Sequence, residues 1–198
     1  MSGNCPSLIE ALAQVEDPRH ARGKRHPLGA ILALAVAATL CGAEGYGAIA
    51  EWGRHHGAPL ARALGFTREH TPCAGTLHSL FRRLDRQALE RVLSAWAETV
   101  LATWPPPQGR LEALAIDGKT LRGAKMQGAL DVHLLSVLSH RLGLTLYQQA
   151  VPEKTNEIGA LPQLLEALRL EGRVVTMDAL LCQTEIAQTI VAKGGTTC

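Results

Sequence analysis

The chain has 198 residues, 46% of them apolar and 19% charged. That is enough length for one ordinary domain plus a smaller companion and enough apolar content to bury a core, which excludes a disordered chain. The formal charge of +2 hides an asymmetry: Lys and Arg outnumber Asp and Glu by 12 to 9 over residues 1–110 and fall short by 8 to 9 over 111–198, so the front half is the side suited to an anionic partner.

The first hundred residues read as helical, interrupted at Pro18, Pro27, Gly42 to Gly47, Gly57 to Pro59 and Thr71 to Gly75. Ser7, Thr76 and Asp85 are the expected helix caps, and Pro27 suits a first helical position, where its missing N–H costs nothing. The most apolar stretch, Leu28 to Ala43, is 16 residues long, short of the roughly 20 that a membrane span needs. The basic Arg19, Arg22, Lys24 and Arg25 ahead of it resemble the flank of a membrane anchor, but the stretch starts 27 residues in, behind Glu10, Glu16 and Asp17, which does not suit a secretory signal. A helix packed on all sides inside a protein core is the expected reading. From Gln87 to Trp104 the apolar positions recur at three and four residue spacing, as in an amphipathic helix. Trp104-Pro-Pro-Pro107 stops it, because three prolines cannot continue a helix. The expected division is therefore a helical N-terminal region, 1–107, followed by a second domain, 108–198.

Behind the prolines the period shortens. Leu111 to Ile116, Val132 to Ser139 and Leu144 to Val151 are strand-like apolar runs, with Gly143 turning between the last two. Ile158 to Leu170 returns to helical spacing and Gly172 ends it. Arg173 to Met177 is a fourth strand, and helix resumes from Thr184 to Lys193. Three strands, a helix, a fourth strand and a helix make a mixed α/β domain.

Five cysteines, Cys5, Cys41, Cys73, Cys182 and Cys198, form no C-x-x-C pair and read as reduced thiols without a zinc site. His55-His56 is the only histidine cluster, and adjacent helical positions point about 100° apart, which does not suit a shared metal.

Asp117 and Asp178 each follow a short apolar strand, inside Ala-Ile-Asp-Gly-Lys and Thr-Met-Asp-Ala-Leu. A carboxylate there is costly unless solvated, paired or holding a cation. If the first and fourth strands are neighbours, both acids emerge together, and Mg²⁺ is commonly held by one or two carboxylates plus substrate phosphates. The competing reading is that each Asp caps the turn after it, Asp-Gly being a common turn pair.

Four groups of strings now come into register: Asp17-Pro-Arg with Arg22-Gly and His26-Pro-Leu; Ile116-Asp-Gly-Lys-Thr-Leu-Arg-Gly123; Glu153-Lys-Thr-Asn-Glu-Ile158; and Val175-Thr-Met-Asp-Ala-Leu-Leu-Cys-Gln183. In order and spacing the chain resembles the H-repeat-associated family of DDE insertion-sequence transposases. The resemblance implies a partial RNase H-like mixed sheet with Asp117 and Asp178 as the first two acids of a triad. It also implies a Mg²⁺ or Mn²⁺ two-metal site that cleaves DNA and transfers strands by phosphoryl transfer. The motif positions Lys119, Arg122, Lys154 and Asn156 are expected to meet DNA, the alternative being ordinary surface charge. Glu157 and Gln183 are accessory candidates, with Glu157 equally suited to capping the helix that begins there.

The resemblance further implies DNA binding by the N-terminal region, where His78, Arg82, Arg83 and Arg86 follow Thr76 on a short recognition-like helix; a solvated basic face is the alternative. A relative would continue past Gln183 through a fifth strand and a helix bearing a third acid, a Glu. Glu185 is poorly placed to substitute, so the expectation is a C-terminally truncated, catalytically impaired transposase of a bacterial insertion sequence whose fourth strand lacks a neighbour on one side. The competing function is a non-catalytic DNA-binding remnant that interferes with full-length transposase; a general RNase H-like nuclease is disfavoured by the strings. Partners would be DNA, both element ends and target, and a second copy or a full-length relative. The expected place is the cytoplasm, with the nucleoid and no membrane.

Overall fold

The computed structural model describes residues 7–121, 132–151 and 157–197, which fall into two compact units parting between Trp96 and Ala97. Arg122, Lys154 and Asn156 lie outside the described residues.

The first unit is helical. Helix α1 (Leu8–Leu12) is capped by Ser7, whose hydroxyl accepts from the Glu10 amide at 3.4 Å. Helix α2 (Leu28–Leu40) has Pro27 at its N-cap, one position ahead of the expected first helical residue. Being apolar all round, α2 must be covered all round: Leu28, Ile31, Leu32, Leu34 and Ala38 are buried in one cluster with Leu12, Ile49, Leu77 and Leu80. Gly29 permits the close approach of the chain after α1, since a Cβ there would sit 3.2 Å from the Ala13 Cα. Helix α3 (Gly45–Ala63) meets α2 at a bend of 98° and is itself kinked at Gly57, φ +62°, ahead of Pro59. No single helix among the described residues is long and apolar enough to cross a membrane.

Helix α4 (Ala74–Phe81) follows Cys73, which holds the N-cap position expected for Thr76. The helix ends at Phe81, so Arg82, Arg83 and Arg86 do not extend it. Asp85 caps α5 (Arg86–Thr103) as expected, its Oδ1 accepting from the Ala88 amide at 3.1 Å.

Between α1 and α2 the chain is tied by one arginine. Arg19 donates from Nε and Nη2 to the two oxygens of Asp17 at 2.9 and 2.8 Å, and from Nη2 to the His26 carbonyl at 2.7 Å. The strings Asp17-Pro-Arg and His26-Pro-Leu are thus two ends of one hydrogen-bonded loop.

The second unit is a five-stranded sheet with helices. Strands β1 (Glu112–Leu121), β2 (Val132–Ser139) and β3 (Leu144–Val151) are antiparallel neighbours. Helix α6 (Glu157–Ala167) leads to β4 (Arg173–Met177), parallel to β1. Helix α7 (Thr184–Ala192) leads to β5 (Thr196–Thr197), parallel to β4. The order is β3-β2-β1-β4-β5, so the class is α/β, a helical region followed by a mixed sheet of the RNase H-like kind.

Two expectations need correction. Strand β1 does not stop at Ile116: its pairing with β2 continues from Asp117↔Ser136 to Leu121↔Val132, because β2 supplies backbone partners for the whole length. Strand β4 does have a second neighbour, since Val174 and Val175 pair with Thr196 and Thr197. The cause is the way α7 ends. Gly194 is left-handed, φ +75°, its amide donates to the Val191 carbonyl and the Gly195 amide to the Ile190 carbonyl. That closing pattern satisfies free carbonyls of the last turn and reverses the chain onto the sheet. A Cβ on Gly195 would meet the Ile190 carbonyl oxygen at 3.1 Å.

Alternation along the strands puts Leu114 and Ile116 of β1, Leu135 and Val137 of β2, and Val175 of β4 on one buried face. Leu161, Leu164 and Leu165 of α6 and Ile186 and Ile190 of α7 are the buried helical counterparts.

Candidate active site

The last rung of the β1–β4 ladder is Ile116↔Met177. Asp117 and Asp178 are the residues that directly follow this rung, Asp117 still within β1 and Asp178 just past β4, so the parallel register brings their backbones to neighbouring positions. Parity places both on the face opposite Leu114, Ile116 and Val175, with Ala115 and Thr176 behind them. Both side chains are exposed, Asp117 at 60%, so neither carboxylate is desolvated.

Their backbones differ. Asp117 is inside β1, flanked by β2, and its carbonyl accepts from the Ser136 hydroxyl at 3.2 Å. Asp178 lies just past β4, and its carbonyl accepts from the Leu181 amide at 2.9 Å, opening a turn that buries Leu181. The turn-cap reading therefore fits the Asp178 backbone and does not fit Asp117, which is paired strand.

Lys119, two residues on and on the same face, has its Nζ 3.7 Å from Asp117 Oδ2, with both side chains well exposed. Such a pair is worth little in stability, about 0–1 kcal/mol, and leaves the cation available to other anions. Gln183 is the N-cap of α7 with no side-chain bond to the helix, and Glu185 lies exposed in the first turn of that helix. Glu157 opens α6. Among the described residues no group of three His, Cys, Asp or Glu side chains converges to hold a metal ion.

Polar residues that the sequence did not single out share this face. Ser136 sits opposite Asp117 on β2. The Thr176 hydroxyl donates to the Leu114 carbonyl at 3.2 Å and lies 3.5 Å from His140 Nε2. The available signal was a hydroxyl residue inside each of two apolar strands, Ser136 in β2 and Thr176 in β4.

The opposite end of the same strands is structural. Glu112, buried, accepts from the Ser139 hydroxyl at 2.6 Å and Arg141 Nε at 2.7 Å. Arg173, its register partner, donates twice to Glu98 at 2.9 and 2.7 Å. Both pairs anchor the start of β1 and β4, away from Asp117 and Asp178.

The basic set Arg82, Arg83 and Arg86 is split. Arg82 closes α4, Arg86 opens α5, and Arg83 alone lines a cleft within the first unit. The recognition-helix expectation is corrected accordingly: the three arginines are not on one helix. The free cysteines Cys41, Cys73 and Cys182 are exposed, at helix ends or in a turn.

Comparison with known proteins gives two adjoining family matches. The DDE_Tnp_1-associated model matches residues 9–97 and the Transposase DDE domain model matches 108–198. The chain is 32% identical to "Putative transposase YncI" of Escherichia coli K12, over 94% of this chain and 74% of that one. It is 31% identical to the protein of the same name in Escherichia coli O157:H7, over 94% and 47%. It is 30% identical to "H repeat-associated putative transposase YhhI" of Escherichia coli K12, over 95% and 49%. The chain thus spans about half the length of the latter two relatives. No solved structure matches it. The chain belongs to the DDE transposase family, in the group that includes the H repeat-associated transposases.

Proposed function

We propose that Asp117 and Asp178 are the first two acids of a metal-assisted phosphoryl-transfer site that cleaves DNA and transfers its strands, and that residues 108–198 are part of the catalytic domain. One observation carries this reading: the parallel β1–β4 register runs up to Ile116↔Met177, and the next residue on each side is an exposed aspartate. Among the described residues no cation is paired with Asp178, and Asp117 has only the loose contact with Lys119.

The residues present fit a hard cation. Mg²⁺ and Mn²⁺ favour carboxylate oxygens and accept water and phosphate for the rest of their ligands. Two such ions, when bound, activate an attacking oxygen and stabilise the leaving one. Asp117 and Asp178 would hold them, and Lys119 steers a phosphate oxygen toward the acids. In the hydrolytic step an oxygen of water forms the new bond to phosphorus, the P–O bond to the 3′ oxygen breaks, and the freed 3′ oxygen ends protonated. In strand transfer the oxygen of that 3′-hydroxyl forms the new bond to a target phosphorus, the target's P–O bond to its 3′ oxygen breaks, and the released 3′ oxygen ends with the proton that the attacking hydroxyl loses. The N-terminal region, 1–107, is read as the part that binds DNA, and the setting as the cytoplasm and its nucleoid.

We further read these 198 residues, taken alone, as a weak catalyst. Among the described residues two carboxylates meet at this place, which leaves a second ion short of a protein ligand, and losing several kcal/mol of transition-state stabilisation costs on the order of a thousandfold in rate.

The test is a nicking assay on DNA carrying a matching element end, with Mn²⁺, comparing the chain with Asp117→Asn and Asp178→Asn. The expected result is slow nicking that each substitution abolishes. Nicking that survives both would reject the carboxylate pair, and fast nicking by the chain alone would reject the weakness.

A further inference from the structure

A cleft among the described residues of the first unit holds about 1420 Å³. Its walls come from the loop between α1 and α2, from the middle of α3, and from the segment 68–83. Five arginines line it: Arg22, Arg25, Arg54, Arg68 and Arg83. All five are exposed, and among the described residues none has a carboxylate partner. The other lining arginine, Arg19, is engaged by Asp17, and the lining Glu69 is held by Arg62 at 3.0 Å. Five guanidiniums therefore face one unpaired carboxylate, Glu51.

Two further observations ask for an anion at this place. Helix α4 begins in the cleft wall, with Cys73, Ala74 and Gly75 lining it; a helix start favours negative charge, and the Thr76 hydroxyl and the Thr76 and Gly75 amides beside the Cys73 thiol lower its pKa. His26, 7% exposed, lines the cleft with its Nδ1 lacking any hydrogen-bond partner among the described residues. Burial lowers the His26 pKa, and the neighbouring His70, Arg68, Arg19 and Arg25 lower it further, which is what a site of concentrated positive charge does to a base inside it.

The wall also says what kind of anion. The arginines come from three separate segments, more than one small anion can engage. Among the described residues no Phe, Tyr or Trp lines the cleft, so the stacking platforms that hold unpaired bases are missing. Gly53 lines the cleft where α3 passes closest to Thr71, a Cβ there lying 2.7 Å from the Thr71 hydroxyl. Phosphate contacts of this kind position a duplex and carry no sequence.

We propose that this cleft grips the sugar-phosphate backbone of duplex DNA, with Arg22, Arg25, Arg54, Arg68 and Arg83 as its phosphate contacts. This rests on the DNA reading above and goes beyond it by assigning the site. The family strings Asp17-Pro-Arg and His26-Pro-Leu then have a physical role: Arg19 holds the loop that carries Arg22 and Arg25 at the cleft.

The first measurement is binding of labelled duplex DNA by the full chain across a salt series, for the wild type, for Arg25→Ala/Arg54→Ala/Arg68→Ala, and for Arg82→Ala/Arg86→Ala. The cleft triple variant should flatten the slope of log affinity against log salt by about three units, close to one for each phosphate no longer neutralised. The Arg82/Arg86 variant should keep the wild-type slope. The reverse pattern overturns the cleft while keeping DNA binding, and no wild-type binding at low salt overturns both readings. Tighter binding of duplex RNA than of duplex DNA, or full competition by inorganic phosphate at matched ionic strength, overturns the assignment to DNA.

The second measurement needs no substitution. Cys73 is exposed at the cleft, whereas Cys41 lies outside it. Saturating duplex should slow alkylation of Cys73 severalfold and leave Cys41 unchanged. An unchanged Cys73 rate in saturated protein overturns the site.

Discussion

The Asp17–Arg19 pair acts at a single point of the chain. The Arg19 side chain is buried, that of Asp17 is largely so, and the guanidinium also reaches the His26 carbonyl. The Arg19 hydrogen bonds hold the Asp17 carboxyl below its ordinary value of 3.8, against the upward push of burial. Because the charged form is the bound form, this stability is fully present above the ordinary value and is lost as pH falls through the lower, folded value. Asp17→Asn should cost about 3 kcal/mol at neutral pH, since it strands a buried guanidinium. In denaturant titrations the gap between wild type and variant should be constant from pH 7 to about 5 and close in acid. A gap that stays constant down to about pH 2 would show that the pairing is not what the variant removes.

Among elements, the end of α6 shows how neighbouring helices are fastened. Lys193, just after α7, donates from Nζ to the carbonyls of Leu165, Glu166 and Leu168 at 2.6, 2.9 and 2.9 Å. Those are carbonyls at the end of a helix, where intrahelical partners run out, although that of Leu165 also accepts from the Leu168 amide at 3.3 Å, and a cation there also opposes the helix dipole. Lys193→Met keeps the stem and deletes the charge, and should destabilise the unit by about 1.5–3 kcal/mol, read as a lower thermal midpoint. Gly194→Val acts on the next step of the chain. Its left-handed backbone disfavours a β-branched residue by about 1–2 kcal/mol, so β5 should detach from β4. Hydrogen exchange at the amides of Thr196 and Thr197 should quicken in that variant while β1 and β2 stay protected; unchanged exchange would mean that β5 is held by something other than the turn.

At the scale of the molecule, cation binding and folding of the second unit are linked through the acids. A ligand that binds only the native state stabilises it by about 2.7 kcal/mol at a hundred times its Kd. Added Mn²⁺ should therefore raise the thermal midpoint of the chain, and Asp117→Asn/Asp178→Asn should remove that shift with little change in the metal-free midpoint, both side chains being exposed. Loss of the shift in a Glu185→Gln variant instead would move the ion to the start of α7.

The amino-acid order by itself determined most of the local structure. Val132 to Ser139, Leu144 to Val151 and Arg173 to Met177 are strands at the expected bounds, because alternation and turn glycines act over a few residues. It also determined which acids follow strands one and four, and through four strings in register it pointed to the family. What it could not determine was partnership. That β1 extends past Asp117 was decided by β2, whose backbone supplies the hydrogen bonds; that β4 gains β5 was decided by the two glycines closing α7 against a sheet already formed. The neighbouring backbone placement of Asp117 and Asp178 depends on a parallel register between segments 61 residues apart. Likewise, Arg22, Arg25, Arg54, Arg68 and Arg83 are scattered along the chain as ordinary surface charges. Packing of α1 to α4 around one apolar core turned them into the lining of one cleft, because burial of the apolar faces leaves the charged residues no place but the walls.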